Sequence, residues 1–354
     1  MAVTLFILAF GLVMVYSSSA VLSYMEHGFN YFYFQRQVAW SVLGLVAFFF
    51  LSNFSYEKLR RFSRLAVIGA VILLLAVFIP GVGVEINFAR RWLGIAGLTL
   101  QPSELAKLAV ILYVSHLLTE KKEKIHSFSR GILPPLLVTG LVSGLILLQP
   151  DLGTSVAIAA STLFLLFIAG ARSLHLAGLL AAGAPALWWA IFSEPYRRQR
   201  FLAFLDPWAD PLDTGYHIIQ SLYAIGSGGL LGLGLGQSRQ KYLYLPEPQT
   251  DFIFAIIAEE LGFIGGLLLI SLFSVFIWRA FRVALKAPDP FSTLLAAGIS
   301  TMLGLQTLIN IGVVTGSMPI KGMPLPFVSF GGTSLLFCLA GTGILVNISR
   351  YARE

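Results

Sequence analysis

A single carboxylate, Asp251, stands at the start of a long apolar stretch. The stretch begins at Phe252 and, interrupted only by Glu259 and Glu260, continues to Trp278. A run of this length crosses a bilayer as a helix. An ionisable group at the mouth of such a helix is costly to bury and is by default a candidate for function, here proton transfer. On local grounds an N-capping role is equally supported, because aspartate is favoured at that position.

An acid–base pair is predicted just after Gln101. Pro102 and Ser103 favour the start of a helix, which would place Glu104 in its first turn. Lys107 follows three residues later on the same face, so the two side chains can pair. Within a bilayer this pair would order a cavity or hold a cation ready for an anion, but neutralisation for packing explains it equally well.

Basic and hydroxyl side chains in several loop segments could bind an anion. Adjacent arginines suit phosphate oxygens, although arginines also mark a membrane interface. In the segment 316–334, which is rich in proline and glycine, a plain loop is as well supported as a ligand role. The predicted substrate-binding residues are Arg90, Arg91, Arg197, Arg239, Lys241, Lys321 and Ser329.

Other unusual residues are better explained by structure. Asp151, in a Pro-Asp-Leu-Gly turn, is predicted to cap the following helix. The glycine tract 226–236 lacks a Gly-Lys-Ser/Thr sequence, so we expect close backbone packing or an amide nest, not a nucleotide site. Glu259 lies about 12 Å along the helix from Asp251, so we expect it to neutralise a deeper partner. Ala258 and Gly262 would let a neighbouring helix approach.

The composition restricts the class of protein. Of the 354 residues, 57% are hydrophobic and 12% are charged, whereas soluble domains carry about 25% charged residues. The net charge of +7 is scattered through short loops, which favours anionic lipid over nucleic acid. The single cysteine and five scattered histidines indicate neither a disulfide nor a metal cluster, and no cofactor is evident.

These features predict an all-α polytopic membrane protein with about ten transmembrane helices. A large ordered extracytoplasmic loop, about 193–250, is expected between helices 7 and 8, and the whole chain 1–354 is expected to form a single integral membrane domain. Basic residues concentrate in alternate loops, so both termini are predicted to be cytoplasmic. The predicted spans are 2–20, 37–52, 65–80, 103–119, 131–148, 153–170, 174–192, 251–278, 291–313 and 333–349.

Several sequence blocks resemble the SEDS family (shape, elongation, division and sporulation). They are 101–107, 149–153, 206–211, 215–221, 241–247, 250–262 and 323–332, and the match runs nearly end to end. The form Gly-Leu-Gly-Gln-Ser-Arg-Gln-Lys at 234–241 is closer to the division and sporulation branch (FtsW, SpoVE) than to the elongation branch (RodA).

The resemblance implies a RodA-like fold and a peptidoglycan glycosyltransferase of the bacterial plasma membrane. It also implies lipid II as substrate and a class B penicillin-binding protein as partner. It assigns the essential aspartate of the family to Asp251 and its buried acid–lysine pair to Glu104 and Lys107. The mechanism that we infer from this resemblance is an inverting glycosyl transfer in which Asp251 is the general base. A divalent cation bridging Asp251 and the diphosphate is an open alternative, although no ligand cluster indicates it.

Two rival functions remain open on the residues alone. A lipid II flippase could use the same acid–base pair to gate movement, but neither paired broken helices nor an internal repeat is evident in the sequence. The second rival is a non-catalytic scaffold protein for a synthase.

Overall fold

The computed structural model describes residues 1–86, 89–95, 98–319 and 322–352. Helices dominate these residues. They are α1 (Ala2–His27), α2 (Phe32–Asn53), α3 (Tyr56–Ala76), α4 (Pro102–Glu120), α5 (Leu133–Leu148), α6 (Leu152–Ile168), α7 (Ser173–Phe192), α8 (Pro195–Leu205), α9 (Tyr216–Gly228), α10 (Ile253–Leu285), α11 (Pro290–Val314) and α12 (Gly332–Arg350). A π-helical turn, Phe128–Ile132, leads into α5, and short 3-10 turns lie at Lys122–Lys124 and Pro207–Ala209.

The ten predicted spans each overlap one helix, namely α1 to α7 and α10 to α12. By length and composition, seven segments of the described chain qualify as membrane-crossing: α1, α2, α7, α10, α11, α12 and the segment Phe128–Leu148. The charged helices α3 and α4 do not qualify, and neither does α6, which has only 17 residues. The class of a helical multi-pass membrane protein is therefore confirmed, whereas the count of ten spans is not.

The long loop expected after the seventh span is ordered. It contains α8, the 3-10 turn and α9, followed by a series of turns that lead to Asp251. Its glycine tract packs against α10, as described below.

A small antiparallel sheet lies between α3 and α4, where no strand was predicted. Its strands are β1 (Gly83–Ile86), β2 (Ala89–Ile95) and β3 (Leu98–Leu100), in the order β1-β2-β3. The longest strand, β2, reads Ala-Arg-Arg-Trp-Leu-Gly-Ile and does not alternate between apolar and polar residues, so it carries no strand pattern. Arg90 and Arg91 both lie on β2.

The chain divides into two compact units. The Asp251 unit comprises Met1–Val42, Pro185–Phe276 and Leu305–Gly331; the Glu104 unit comprises Leu43–Ala184, Ile277–Gly304 and Gly332–Glu354. The single domain expected over the whole chain stays a prediction.

Within the Asp251 unit, α10 is interrupted at Gly262, which has φ 68° and ψ −169°. In an unbroken helix the N–H groups of Phe263 and Ile264 would bond to the carbonyls of Glu259 and Glu260. Here all four groups bond to the glycine tract instead. The bonds are Phe263 N to Gly229 O (2.8 Å), Ile264 N to Leu230 O (3.2 Å), Leu233 N to Glu259 O (3.0 Å) and Gly234 N to Glu260 O (3.0 Å).

Glycine is required where the tract meets the break. A Cβ at Gly232 would lie 2.2 Å from the Glu260 carbonyl oxygen, and one at Gly262 would lie 2.3 Å from the Gly232 nitrogen. One turn earlier, a Cβ at Gly228 would lie 2.1 Å from the Ala258 carbonyl oxygen. The predicted close backbone packing of the glycine tract is confirmed, and so is the close approach of another helix, α9, at Ala258.

In the Glu104 unit, Asp151 caps α6 as predicted. Its carboxylate accepts hydrogen bonds from the backbone N–H of Thr154 at 3.0 Å and from the Thr154 hydroxyl at 2.8 Å. These bonds satisfy donors that the first turn of a helix leaves unpaired.

Candidate functional site

Asp251 lies in a turn two residues before the start of α10, and its side chain is partly buried. Its backbone is fixed together with that of the two preceding residues. All three successive carbonyls accept hydrogen bonds. Phe330 N donates to Gln249 O (2.8 Å), Ser329 Oγ donates to Thr250 O (2.6 Å), and Asn310 Nδ2 donates to Asp251 O (2.9 Å). We call this arrangement the carbonyl clamp. Asp251 therefore lies on a backbone that is held in place by hydrogen bonds from α11 and from the loop 322–331.

The loop 322–331 is itself braced from two helices. Gln37 of α2 donates to the Ser329 carbonyl at 3.0 Å and accepts from the Gly331 N–H at 3.3 Å. Gln306 of α11 donates to the Pro324 carbonyl at 2.8 Å. The clamp therefore rests on secondary-structure elements, which hold a site more rigidly than loops do.

Phe327 in this loop adopts φ 64°, a conformation that costs energy for a residue with a Cβ. Its ring packs against Phe276 with centroids 5.4 Å apart, and its side chain is 2% exposed. A Cβ at Gly11 of α1 would lie 2.6 Å from the Phe327 carbonyl oxygen. Close packing on both sides holds the loop in this strained shape.

The Asp251 carboxylate lies directly over the backbone of Gly322. A Cβ built on Gly322 would lie 2.9 Å from Asp251 Oδ2. Only glycine leaves the carboxylate in this position.

Gly322→Ala is expected to displace the carboxylate while the fold survives, because the atom that must move is the end of a side chain. Misplacement of a reacting group by about 1 Å costs up to about 100-fold in rate. For the proton transfer predicted at Asp251, we expect the rate in the variant to fall by about 10–100-fold with little change in the unfolding temperature. The matched control is Gly140→Ala in α5, where a Cβ meets no atom within 4 Å. Equal activity of the two variants would contradict the placement of the carboxylate.

Lys241 is buried in an ion pair. Its ammonium lies 2.9 Å from Glu260 Oε1, and the two side chains are 5% and 0% exposed. Ser17 of α1 donates to the same carboxylate at 2.7 and 2.8 Å. These contacts favour a structural role for Lys241, which ties the loop to α1 and α10, over the predicted substrate-binding role.

Among the residues that the structure describes, no cation lies within ion-pair distance of Glu259, contrary to our expectation. Its carboxylate accepts hydrogen bonds from the hydroxyls of Ser227 and Ser238 and from the backbone N–H groups of Arg239 and Gln240. Because successive helical residues point about 100° apart, its neighbour Glu260 meets the lysine instead. Both glutamates are fully buried and hold the segment 237–241 against α10.

In the Glu104 unit, the predicted pair is present. Lys107 Nζ lies 2.8 Å from Glu104 Oε2 in the first turns of α4, and the side chains are 6% and 4% exposed. α4 begins at Pro102, as predicted. Each of the two charged side chains thus has a partner of opposite charge within a largely apolar helix.

The two predicted arginines of β2 differ in their surroundings. Arg91 donates to the carbonyls of Gln149 (2.8 Å) and Pro150 (2.7 Å), which favours a structural role. Arg90 is exposed and pairs with Glu85 at 3.1 Å.

The remaining predicted ligands belong to the Asp251 unit. Arg197 donates to the Ala190 carbonyl at 3.0 Å and lies over the ring of Tyr196. Arg239 is exposed. Ser329 is buried in the carbonyl clamp, which favours a structural role for its hydroxyl. Lys321 lies outside the described residues.

His217 of α9 lies beside the residue that follows Asp251. The rings of His217 and Phe252 have centroids 5.8 Å apart. Burial of the imidazole, followed by the positive charge of Arg200, holds the pKa of His217 below its ordinary value, although Glu247 acts in the opposite direction. The neutral form of the imidazole is therefore favoured. Across the described part of the chain, no group of three acidic, histidine or cysteine side chains is arranged to hold a metal ion.

Our sequence reasoning missed Asn310, Gln37 and Gly322. Asn310 and Gln306 lie four residues apart on the apolar helix α11, so they share a face. Amide side chains at this spacing within a membrane helix are a signal for buried polar contacts. Gly322 carries no comparable signal, because the close contact is visible only in three dimensions.

Comparisons with known proteins agree in family and in fold. The family model described as cell cycle protein, of the FtsW, RodA and SpoVE type, matches residues 1–354. Stage V sporulation protein E of Bacillus subtilis is 47% identical over 351 residues, covering 99% of this chain and 96% of that protein. A probable peptidoglycan glycosyltransferase FtsW of Geobacter metallireducens is 42% identical, covering 96% of this chain and 91% of that protein.

Two solved structures extend the comparison to the fold. A chain from a peptidoglycan synthase complex that coordinates polymerization and crosslinking is 32% identical, with a TM-score of 0.79, covering 98% of this chain and 96% of that one. The rod shape determining protein RodA of Thermus thermophilus is 30% identical, with a TM-score of 0.72, covering 99% of this chain and 96% of that one.

Proposed function

Since the chain belongs to the FtsW, RodA and SpoVE family of cell cycle proteins, we propose that it is a peptidoglycan glycosyltransferase. It would polymerise lipid II into glycan strands at the outer face of the bacterial plasma membrane. The observation that carries the site assignment is the carbonyl clamp, which holds the partly buried Asp251 on a fixed backbone at the start of a membrane helix. Curated names of relatives support the activity.

The proposed reaction is an inverting glycosyl transfer. The sugar 4-hydroxyl of one lipid II attacks the anomeric carbon of the growing chain, and undecaprenyl diphosphate leaves. Asp251 accepts the hydroxyl proton as general base. A carboxylate is too weak a base to ionise an alcohol beforehand, so the proton moves late, within the transition state.

The leaving diphosphate needs positive charge and no carboxylic acid partner. Among the predicted cations of the Asp251 unit that the structure describes, the exposed Arg239 is the best placed to contact an anion, because Lys241 is buried against Glu260 and Arg197 donates to the Ala190 carbonyl. In the Glu104 unit, Lys107 and Arg90 remain candidates for substrate support.

The cellular setting is part of the same proposal. We expect a role in cell division or sporulation, with both termini in the cytoplasm. We expect a class B penicillin-binding transpeptidase as partner, since a chain similar to this one belongs to a peptidoglycan synthase complex.

The direct test is polymer formation by purified protein. The protein in detergent or vesicles is incubated with lipid II, with and without a candidate transpeptidase, and glycan strands are separated by gel electrophoresis. Strands that disappear when the protein is omitted support the proposal, and an arm with a chelator tests the requirement for a divalent cation.

Two other results would replace the proposal. Movement of labelled lipid II across vesicle membranes without polymer would favour the flippase, for which the break in α10 beside buried glutamates is a relevant feature. Polymer formation by a complex that is unchanged by Asp251 substitution would favour a scaffold.

A further inference from the structure

Asn310 ties Asp251 to the loop beneath it. The Nδ2 atom of this residue donates to the Asp251 carbonyl at 2.9 Å and to the Met323 carbonyl at 2.8 Å. Met323 follows Gly322, over which the Asp251 carboxylate lies. The amide nitrogen of Asn310 therefore joins the backbone of Asp251 to the backbone at 322–323, which the Asp251 carboxylate faces.

The two bonds that the amide donates stabilise the fold, but they do not account for its oxygen. Asn310 is 2% exposed, and its Oδ1 atom is buried and finds no hydrogen-bond partner within the part of the chain that the structure describes. A buried acceptor without a partner destabilises a fold. Polar side chains placed at such a cost are expected at functional sites.

The position of Asn310 in the clamp is also distinctive. The contacts to Gln249 and Thr250 come from Phe330 and Ser329, which belong to the loop. The contact to Asp251 itself comes from α11, a long and largely buried helix. Asn310 thus connects the proposed base to the most rigid element of the clamp.

We propose that Asn310 is a positioning residue for proton transfer, which holds the Asp251 peptide and the 322–323 backbone at a fixed separation so that the carboxylate meets the attacking hydroxyl. The inference rests on the proposed function. It predicts an effect on the chemical step, not on substrate binding, because Asn310 is buried and acts through the backbone of Asp251.

Asn347 of α12 provides a matched control. It is 2% exposed, as Asn310 is; its Nδ2 atom donates to the Ser52 carbonyl at 3.1 Å, and its Oδ1 atom accepts from the Tyr56 N–H at 3.2 Å. Asn310→Leu and Asn347→Leu each remove one buried amide that braces the backbone, but Asn347 braces Ser52 and Tyr56 in the Glu104 unit, whereas Asn310 braces Asp251. Both variants are compared with the parent for thermal unfolding, kcat and KM for lipid II.

We expect the two variants to lose similar amounts of thermal stability. Asn310→Leu should lower kcat by about 10–100-fold while KM stays within about twofold. Asn347→Leu should keep kcat within about threefold of the parent. Equal losses of kcat in the two variants, or a loss confined to KM, would overturn the proposal. If Asn310→Leu does not elute as a monodisperse protein, Asn310→Ser and Asn347→Ser provide the same comparison with smaller polar side chains.

Failure of the proposed function would be distinguishable. If Asp251→Asn retains polymerisation, Asp251 is not the base, and the positioning role falls with it. If Asp251→Asn abolishes polymerisation and Asn310→Leu does not, only the positioning role is wrong.

Discussion

Asp251→Asn is expected to lower the rate of glycan polymerisation by about 10²–10⁴-fold, the usual contribution of a general base. Asparagine has the same shape, but its amide cannot accept the proton of the attacking hydroxyl. The carbonyl clamp contacts only backbone oxygens at residues 249–251, so the substitution leaves it intact. Binding of lipid II and the unfolding temperature should therefore stay close to those of the parent.

The control for this substitution is Asp213→Asn, which removes an exposed carboxylate from the same long loop. Initial rates of strand formation from lipid II are measured for the parent and both variants, and binding is measured separately. The control should polymerise at the parental rate. Near-normal polymer from Asp251→Asn would end the general-base assignment.

Lys241→Met is expected to give the largest loss of stability, about 3–5 kcal/mol, as found when one partner of a buried ion pair is removed. Glu260 is fully buried, and without the ammonium at 2.9 Å the partners of its charge within the described residues would be neutral donors. The loss should appear as a lower midpoint of thermal unfolding in detergent, measured by intrinsic fluorescence.

Two comparisons make this expectation specific to the buried pair. Arg90→Met breaks the pair with Glu85, whose side chains are 57% and 49% exposed, and should cost less than about 1 kcal/mol. The double variant Lys241→Met/Glu260→Gln removes both charges and should recover much of the stability lost in the single variant. A single variant as stable as Arg90→Met would show that the lysine charge contributes little.

Local patterns were the predictable part of this protein. Apolar runs located ten helices, the spacing of Glu104 and Lys107 predicted an ion pair, and the Pro-Asp-Leu-Gly turn predicted the Asp151 cap. In each case the interacting groups are close in sequence, so helical geometry alone decides whether they meet.

Contacts between distant segments could not be predicted in the same way. Ser17 and Glu260 are 243 positions apart, and Asn310 and Asp251 are 59 apart. Nothing in the spacing of Lys241 indicated that its partner would be Glu260 rather than a phosphate. The break at Gly262 was also missed, because an isolated glycine inside an apolar run is compatible with an unbroken helix.

The break in α10 has a consequence for how the protein is made. A membrane helix normally enters lipid without help from other segments, because hydrogen bonds within the helix satisfy its backbone N–H and C=O groups. α10 has four groups around Gly262 that only residues 229–234 satisfy, and each would cost several kcal/mol if left open to hydrocarbon. Those residues precede α10 in the chain, so the ribosome delivers them first. The break in α10 is therefore satisfied once the glycine tract has docked on it. A change that delays this docking would be seen as defective insertion of α10 before any loss of catalysis.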